Sequence, residues 1–281
     1  MGWISICRVK AGKGDEMPGE HSQDAFARGL ESLSAFARDM GSFVQEVSAA
    51  QRRWKPIFDD LRGRLAAFPQ ETRDLQTYLI PRGWYLTMRA SIALVRSLAT
   101  AVRAEQHEVV EEAMRGYARY RFDTVGLRVD TLWPERSYLI REALAAHSAG
   151  KYALSIPVLL AQAEGISNEL LGVSVFGKHR GGPATASAHR QHLSEPCLDP
   201  NSFKATVLLG PLEVLSGLAM GVSDHEELRA RAEPTFGTLN RHAVAHGISL
   251  DYGTEENSLR AVLLLDFLAD LKRGLVVSEA E

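Results

Sequence analysis

The chain of 281 residues contains only two cysteines, Cys7 and Cys197. They stand far apart and in no metal-ligand spacing, which excludes a disulfide framework and a zinc ribbon and makes a reducing cytoplasm the expected compartment. Long hydrophobic runs are missing as well: no stretch approaches the ~20 apolar residues of a membrane span. The amino terminus has no signal-peptide core, and the myristoylation pattern that Gly2 opens fails at Ile6, where Ser or Thr is required. Residues 1–22, rich in glycine and charge, are expected to form a flexible tail. Strand signals are scarce, with no Asn-Gly or Asp-Gly hairpin between β-branched runs. Excess charge is absent too: the net charge is −3, so the whole-chain field does not attract nucleic acid and any such binding has to be local.

What the chain does have is helical periodicity. Phe26, Leu30, Leu33, Phe36, Met40, Phe43 and Val47 recur at spacings of three and four, the stripe of a helix about 25 residues long. Trp54, Ile57, Phe58, Leu61 and Leu65 predict a second helix ending near Pro69, and residues 84–102 a third, more apolar one. The pattern restarts near Thr131, with Pro134 in a first-turn position. This gives an expected division into a tail (1–22), an amino-terminal helical domain (23–130) and a second helical domain (131–281). Residues 1–130 carry 19 basic and 17 acidic side chains, net +2; residues 131–281 carry 13 and 18, net −5. Further helices are expected from about Glu135 to His147, from Tyr152 to Leu171, over Phe203–Met220, from Glu226 to His246, and from Thr254 to about Lys272. Thr254 and Asn257 open the last one as an N-cap and its third residue. Between them, residues 172–200 read as a long loop carrying Lys178, His179, Arg180, Arg190 and His192. The fold class is therefore all-α, a helical bundle.

Two motifs fail on inspection. Gly172 to His179 nearly spells a phosphate-binding P-loop, but His179 stands where Ser or Thr would hold Mg²⁺, and the segment leaves a helix rather than a strand. His242 and His246 have the spacing of a zinc-protease helix, but Ala243 stands where the general-base Glu belongs. Neither a metal nor a cofactor is expected.

Read one residue earlier, the same stretch is Asn240-Arg241-His242-Ala243-Val244-Ala245-His246-Gly247, followed by Asp251-Tyr252-Gly253-Thr254 and an apolar helix. Here the chain resembles the HEPN superfamily, whose signature is an Arg, a polar residue, a few further residues and a His near a helix end. The resemblance covers about 131–281 and is strongest over 238–270. It implies a homodimer that sets two motifs face to face across a composite cleft, and metal-independent RNA cleavage of the kind found in toxin–antitoxin, abortive-infection and phage-defence systems. Other members only bind or assemble. The toxin subgroup with Tyr two residues after the His is not matched, because Ile248 is there.

The chemistry fits these residue types. RNA carries its own nucleophile in the 2′-hydroxyl, so cleavage needs a group titrating near neutrality and a fixed cation for the charge developing on phosphate. His246 is expected to move the proton and Arg241 to hold phosphate oxygens, with His242 or Asn240 orienting them. Glu164 and Gln162 are expected to face the Arg241 cleft, Glu164 as support or as a structural ion pair. Lys178, Arg180 and Arg190 are the candidate RNA-binding cations. On an ideal helix, positions five apart lie about 140° apart around the axis, so Arg241 and His246 do not point the same way. The competing expectation is a non-catalytic helical interaction or RNA-binding protein in which the motif is structural and the stripes of residues 24–65 meet a protein partner.

Overall fold

The structure, a computed structural model, describes residues 20–179, 182–186, 203–231 and 239–276. The all-α expectation holds. The helices are α1 (Glu20–Leu79), α2 (Ile92–Arg103), α3 (His107–Leu132), α4 (Ser137–Ser148), α5 (Tyr152–Leu171), α6 (Phe203–Glu213), α7 (Val222–Arg231), α8 (Arg241–Ala245) and α9 (Glu255–Val276). The β structure among the described residues is a single two-residue antiparallel pair, Lys178–His179 with Gly182–Pro183. No helix among the described residues is long and apolar enough to cross a membrane.

Contacts divide the chain into residues 1–64 and 65–281, not near residue 131 as the restart of the pattern predicted. The reason is α3, which precedes that point and packs along α9, the last helix. Two further expectations are corrected. The two amino-terminal stripes belong to one continuous helix, α1, which runs through Pro56 and Pro69; each proline removes one ladder hydrogen bond without ending it. The expected helix over 84–102 starts only at Ile92, capped by the Ser91 hydroxyl, which accepts from the Leu94 amide at 3.1 Å. Before it, Trp84, Tyr85 and Leu86 run non-helically through the core, fully buried.

The core of the second unit is built around α9, whose residues from Asn257 to Leu271 are all buried. Its apolar side chains pack against α3, α5 and α6. α4 and α5 form an antiparallel hairpin, closed by the Gly150 turn and tied by Arg136 of the preceding turn to Gln162 at 2.9 Å. Gln162 is thus spent on the hairpin and does not face Arg241.

Set into this apolar core is a line of buried ion pairs. Asp266, with no exposed surface, accepts two bonds from Arg121, at 2.8 and 3.2 Å, and a further one from Arg128. Arg128 also reaches Asp270, whose other oxygen accepts the Met88 amide at 2.6 Å. A turn or more away, Glu111 accepts from Arg260 at 3.0 Å and from the Trp84 indole at 2.7 Å, and the Arg260 guanidinium lies 4.5 Å over the Trp84 ring. Burial pushes the Glu111 carboxyl up, against the opposing pull of Arg260 and the indole N–H. These pairs join α3 to α9 at two levels.

Removing one partner of a buried pair strands the other. Asp266→Asn is expected to lower unfolding free energy by about 3–5 kcal/mol, measured by urea denaturation, whereas Leu127→Ser on the exposed side of α3 shifts it by under about 0.5 kcal/mol. Acid is expected to act in the same sense. Burial would raise the Glu256 carboxyl, but Arg260 and Arg115 outweigh it and hold it below its ordinary value. Burial lowers His147, which pairs with the Ser258 hydroxyl at 2.8 Å. An acid and a base with lowered folded-state values both release protons on folding, so stability is complete above their ordinary ranges and falls as pH drops through them. Urea midpoints should decline from about pH 7 to about pH 4, and Glu256→Gln should flatten the lower part of that decline.

Candidate functional site

Asn240 sets the geometry. Its backbone is extended (φ −128°, ψ 121°) and its side-chain oxygen accepts the Ala243 amide at 2.9 Å, starting α8. Its amide group donates to the Met220 carbonyl at 2.9 Å and the Gly217 carbonyl at 3.4 Å. The side chain is buried and satisfied from both ends, so it does not orient a phosphate; it fastens the first turn of α8 to the 217–220 turn. The helix expected to run unbroken from Glu226 to His246 is therefore replaced by α7 and, after residues outside the described set, a separate five-residue α8. Gly247, with φ +68°, ends it where the sequence predicted a stop.

This short helix presents Arg241 and His246 differently. Arg241, about one-third exposed, pairs with Glu164 of α5. Glu164 is held in turn by the Ser174 hydroxyl, which donates to its other oxygen at 3.1 Å. The guanidinium borders two depressions: a cleft of about 360 Å³ walled by Phe176, Lys178, the 218–222 segment and His242, and a smaller one of about 90 Å³ walled by Pro157, Leu160 and Val244 among others. His246 is among the residues lining neither. It is exposed, and its ring packs on that of His242 with centroids 4.2 Å apart. The angular separation foreseen between Arg241 and His246 is thus real: one chain brings Arg241, His242 and Lys178 to the larger cleft, sets Glu164 with Arg241 at the smaller one, and leaves His246 among the residues lining neither.

The P-loop-like stretch has a structural task. Gly172 caps α5 in the left-handed region, φ +67°, and the chain folds back so that Ser174 meets Glu164. Nothing in the residue types announced that contact; Ser174 is missed by motif reasoning because its partner lies ten residues earlier on a helix. Phe176 is missed because the residue it meets, Arg241, whose guanidinium lies 5.9 Å from its ring centroid, is far later in the chain. Lys178 lies at the cleft but bonds Asp224 at 3.4 Å. Arg180, Arg190 and His192 lie outside the described residues, as does the side chain of His179. Among the described residues no three His, Cys, Asp or Glu side chains converge as a metal centre would require.

No family model matches this chain, nor does any curated protein or solved structure.

Asn240→Ala removes the cap and strands two backbone carbonyls. It is expected to cost about 0.5–2 kcal/mol and to speed amide exchange of residues 241–247, read by hydrogen–deuterium exchange, with less effect on α9.

Proposed function

We propose that this chain is a metal-independent endoribonuclease of the HEPN type, acting as a homodimer. The observation that carries the reading is the division of labour on α8: Arg241 is fixed at the wall of a cleft by Glu164, while His246, at the far end of the same helix, is exposed. A permanent cation held in place beside open space, and an imidazole open to solvent, are the two elements the chemistry needs. They lie apart within one chain, and a two-fold arrangement supplies the missing His246 from the partner. Exposed apolar residues support this: Leu250 (92% exposed), Ile248 and Leu154 surround that face, with Tyr252 tying the loop to Ala153 at 3.0 Å.

In this mechanism the 2′-oxygen attacks the adjacent phosphorus, the 5′-oxygen leaves, and the products are a 2′,3′-cyclic phosphate and a 5′-hydroxyl. An imidazole of His246 takes the 2′-proton or delivers one to the leaving oxygen. Arg241 bonds the non-bridging oxygens, using some of its five N–H donors while Glu164 keeps the fork in position. Lys178 adds positive charge at the cleft, in a half of the chain whose net charge is −5, and His242 adds a ring N–H. The enzyme acts in the cytoplasm, in a toxin or phage-defence setting.

A second reading has one observation in its favour. Arg241 is already paired with Glu164, and Asn240 is wholly engaged as a cap, so the motif is also a sound structural corner for a non-catalytic RNA-binding or interaction protein. The two separate on mixed RNA in EDTA. Cleavage that survives chelation, leaves cyclic phosphate ends and falls about 10²-fold or more in Arg241→Ala and His246→Ala is the outcome expected. Loss of activity in Leu250→Asp, with its fold intact by circular dichroism, is expected to accompany it. No cleavage of diverse RNAs, or equal cleavage by wild type and both active-site variants, overturns the enzyme.

A further inference from the structure

From Phe26 to Leu79, α1 obeys a strict alternation of three- and four-residue steps, a heptad repeat in which only Gln51 and Thr72 interrupt the apolar a and d positions. Its last four positions, Phe68, Thr72, Leu75 and Leu79, are buried in the second unit. The earlier ones continue for more than five heptads, and there Met40, Trp54 and Phe58 are 45%, 51% and 61% exposed. A period of 3.5 residues is the repeat that winds one helix on another, so what this seam fits is a helix rather than a flat surface.

The flanks say which helix. Position g carries Gly29, Phe36, Phe43, Ala50, Ile57 and Arg64, apolar over its four central places, whereas position e carries Ala27, Ser34, Gly41, Ser48, Lys55 and Arg62. In a parallel pair g faces e, which would set Phe43 against Ser48 and Ile57 against Arg62. In an antiparallel pair g faces g and e faces e, so apolar flank meets apolar flank. Charge points the same way. Residues 20–46 carry five acidic and two basic side chains, net −3, and residues 47–64 carry two acidic and five basic, net +3; only the antiparallel arrangement lays one half over the other. Pairing α1 with itself about a point between Gln45 and Glu46 puts Val44 opposite Val47, Ala37 opposite Trp54 and Leu33 opposite Phe58, with apolar residues on both sides of every layer from Phe26 to Leu65 except the one that sets Met40 against Gln51. Pro56 falls at position f, the outer face, where its ring does not enter the seam.

We infer that α1, over residues 26–65, is an antiparallel coiled-coil dimerisation arm whose partner is the same segment of a second copy. The area is sufficient. Phe26, Phe36, Phe43, Trp54 and Phe58 offer about 150–250 Å² each; if pairing covers half of that, ten rings bury about 750–1,250 Å², and the aliphatic layers carry the total past the ~1,600 Å² of a standard interface. The surface is self-complementary, as a two-fold interface requires. This inference is independent of the ribonuclease reading.

Sedimentation of the full chain carrying Leu250→Asp, so that the face invoked for the ribonuclease dimer does not contribute, with Val44→Asp/Val47→Asp added beside it, tests the assembly. The double variant on this background is expected to form particles of half the mass of its Leu250→Asp parent, with the thermal unfolding of the second unit unchanged. Spin labels at Gln45 or Asp59, in a chain whose two native cysteines are replaced by serine, test the orientation. About a central two-fold axis, the two copies of residue 45 lie side by side, whereas those of residue 59 lie about 40 Å apart along the axis at 1.5 Å per residue. A monomeric Leu250→Asp parent, an unchanged mass for the double variant, a different protein bound in place of the second copy, or equally short distances at both labels overturns the inference.

Discussion

The carboxylate of Asp266, without any exposed surface and clasped by Arg121 and Arg128, constrains the rest of the second unit. Such a group is costly to bury and is tolerated only where its partners are placed to meet it. It therefore fixes α3 against α9 in one register, which apolar contacts alone, spread evenly along α9, would define less sharply. The Glu111–Arg260 pair fixes the same register at the other end and draws Trp84 into place through its indole N–H. With α3 pinned on one side of α9, α5 takes another side, and α5 is the helix that carries Glu164. The position of Glu164 beside α8 thus traces back to charges more than a turn of helix inside the protein.

This also explains which elements were legible in the sequence. α5 and α9 were readable because their buried faces are apolar, and the Thr254 cap is present as expected, its hydroxyl accepting the Asn257 amide at 3.2 Å. α3 was not read as a helix at all. Its inward positions Val110, Met114, Tyr117, Ala118, Val125 and Val129 are apolar, but Glu111, Arg121 and Arg128 stand among them, and these charges break the stripe that marks a helix. The misplaced division near residue 131 follows directly, since a helix that cannot be seen cannot be seen to pack on the last one. Pro56 and Pro69 misled in the opposite direction: each is a strong helix terminator in general, yet α1 runs through both.

At the site, one contact expected from residue type, Arg241 with Glu164, is present, and the rest of the connectivity is not visible in the sequence. Arg241, His246, His242 and Glu164 were chosen by type and spacing, and the structure brings Glu164 and Arg241 into contact. Asn240 shows the limit. Its type suits both phosphate orientation and helix capping, and only the positions of the Met220 and Gly217 carbonyls, twenty or more residues earlier, decide for the cap. The Ser174–Glu164 bond is invisible in sequence for a like reason: it depends on a left-handed turn at Gly172 that folds the chain back on its own helix.

The arginines of this protein fall into two kinds, and the difference bears on function. Arg121, Arg128 and Arg260 are buried to within a few per cent of complete, and their partners are buried with them or close beside them, so releasing any of them leaves a charge without water. Arg241 and Glu164 keep 30% and 26% of their side-chain surface, where an ion pair contributes only about 0–1 kcal/mol. A phosphate offering charge-assisted hydrogen bonds of about 1.5–3 kcal/mol each competes for Arg241 on favourable terms, and Glu164, still anchored by Ser174, need not move far to yield a donor. On the proposed ribonuclease reading, that balance leaves Arg241 positioned by Glu164 and still open to a phosphate.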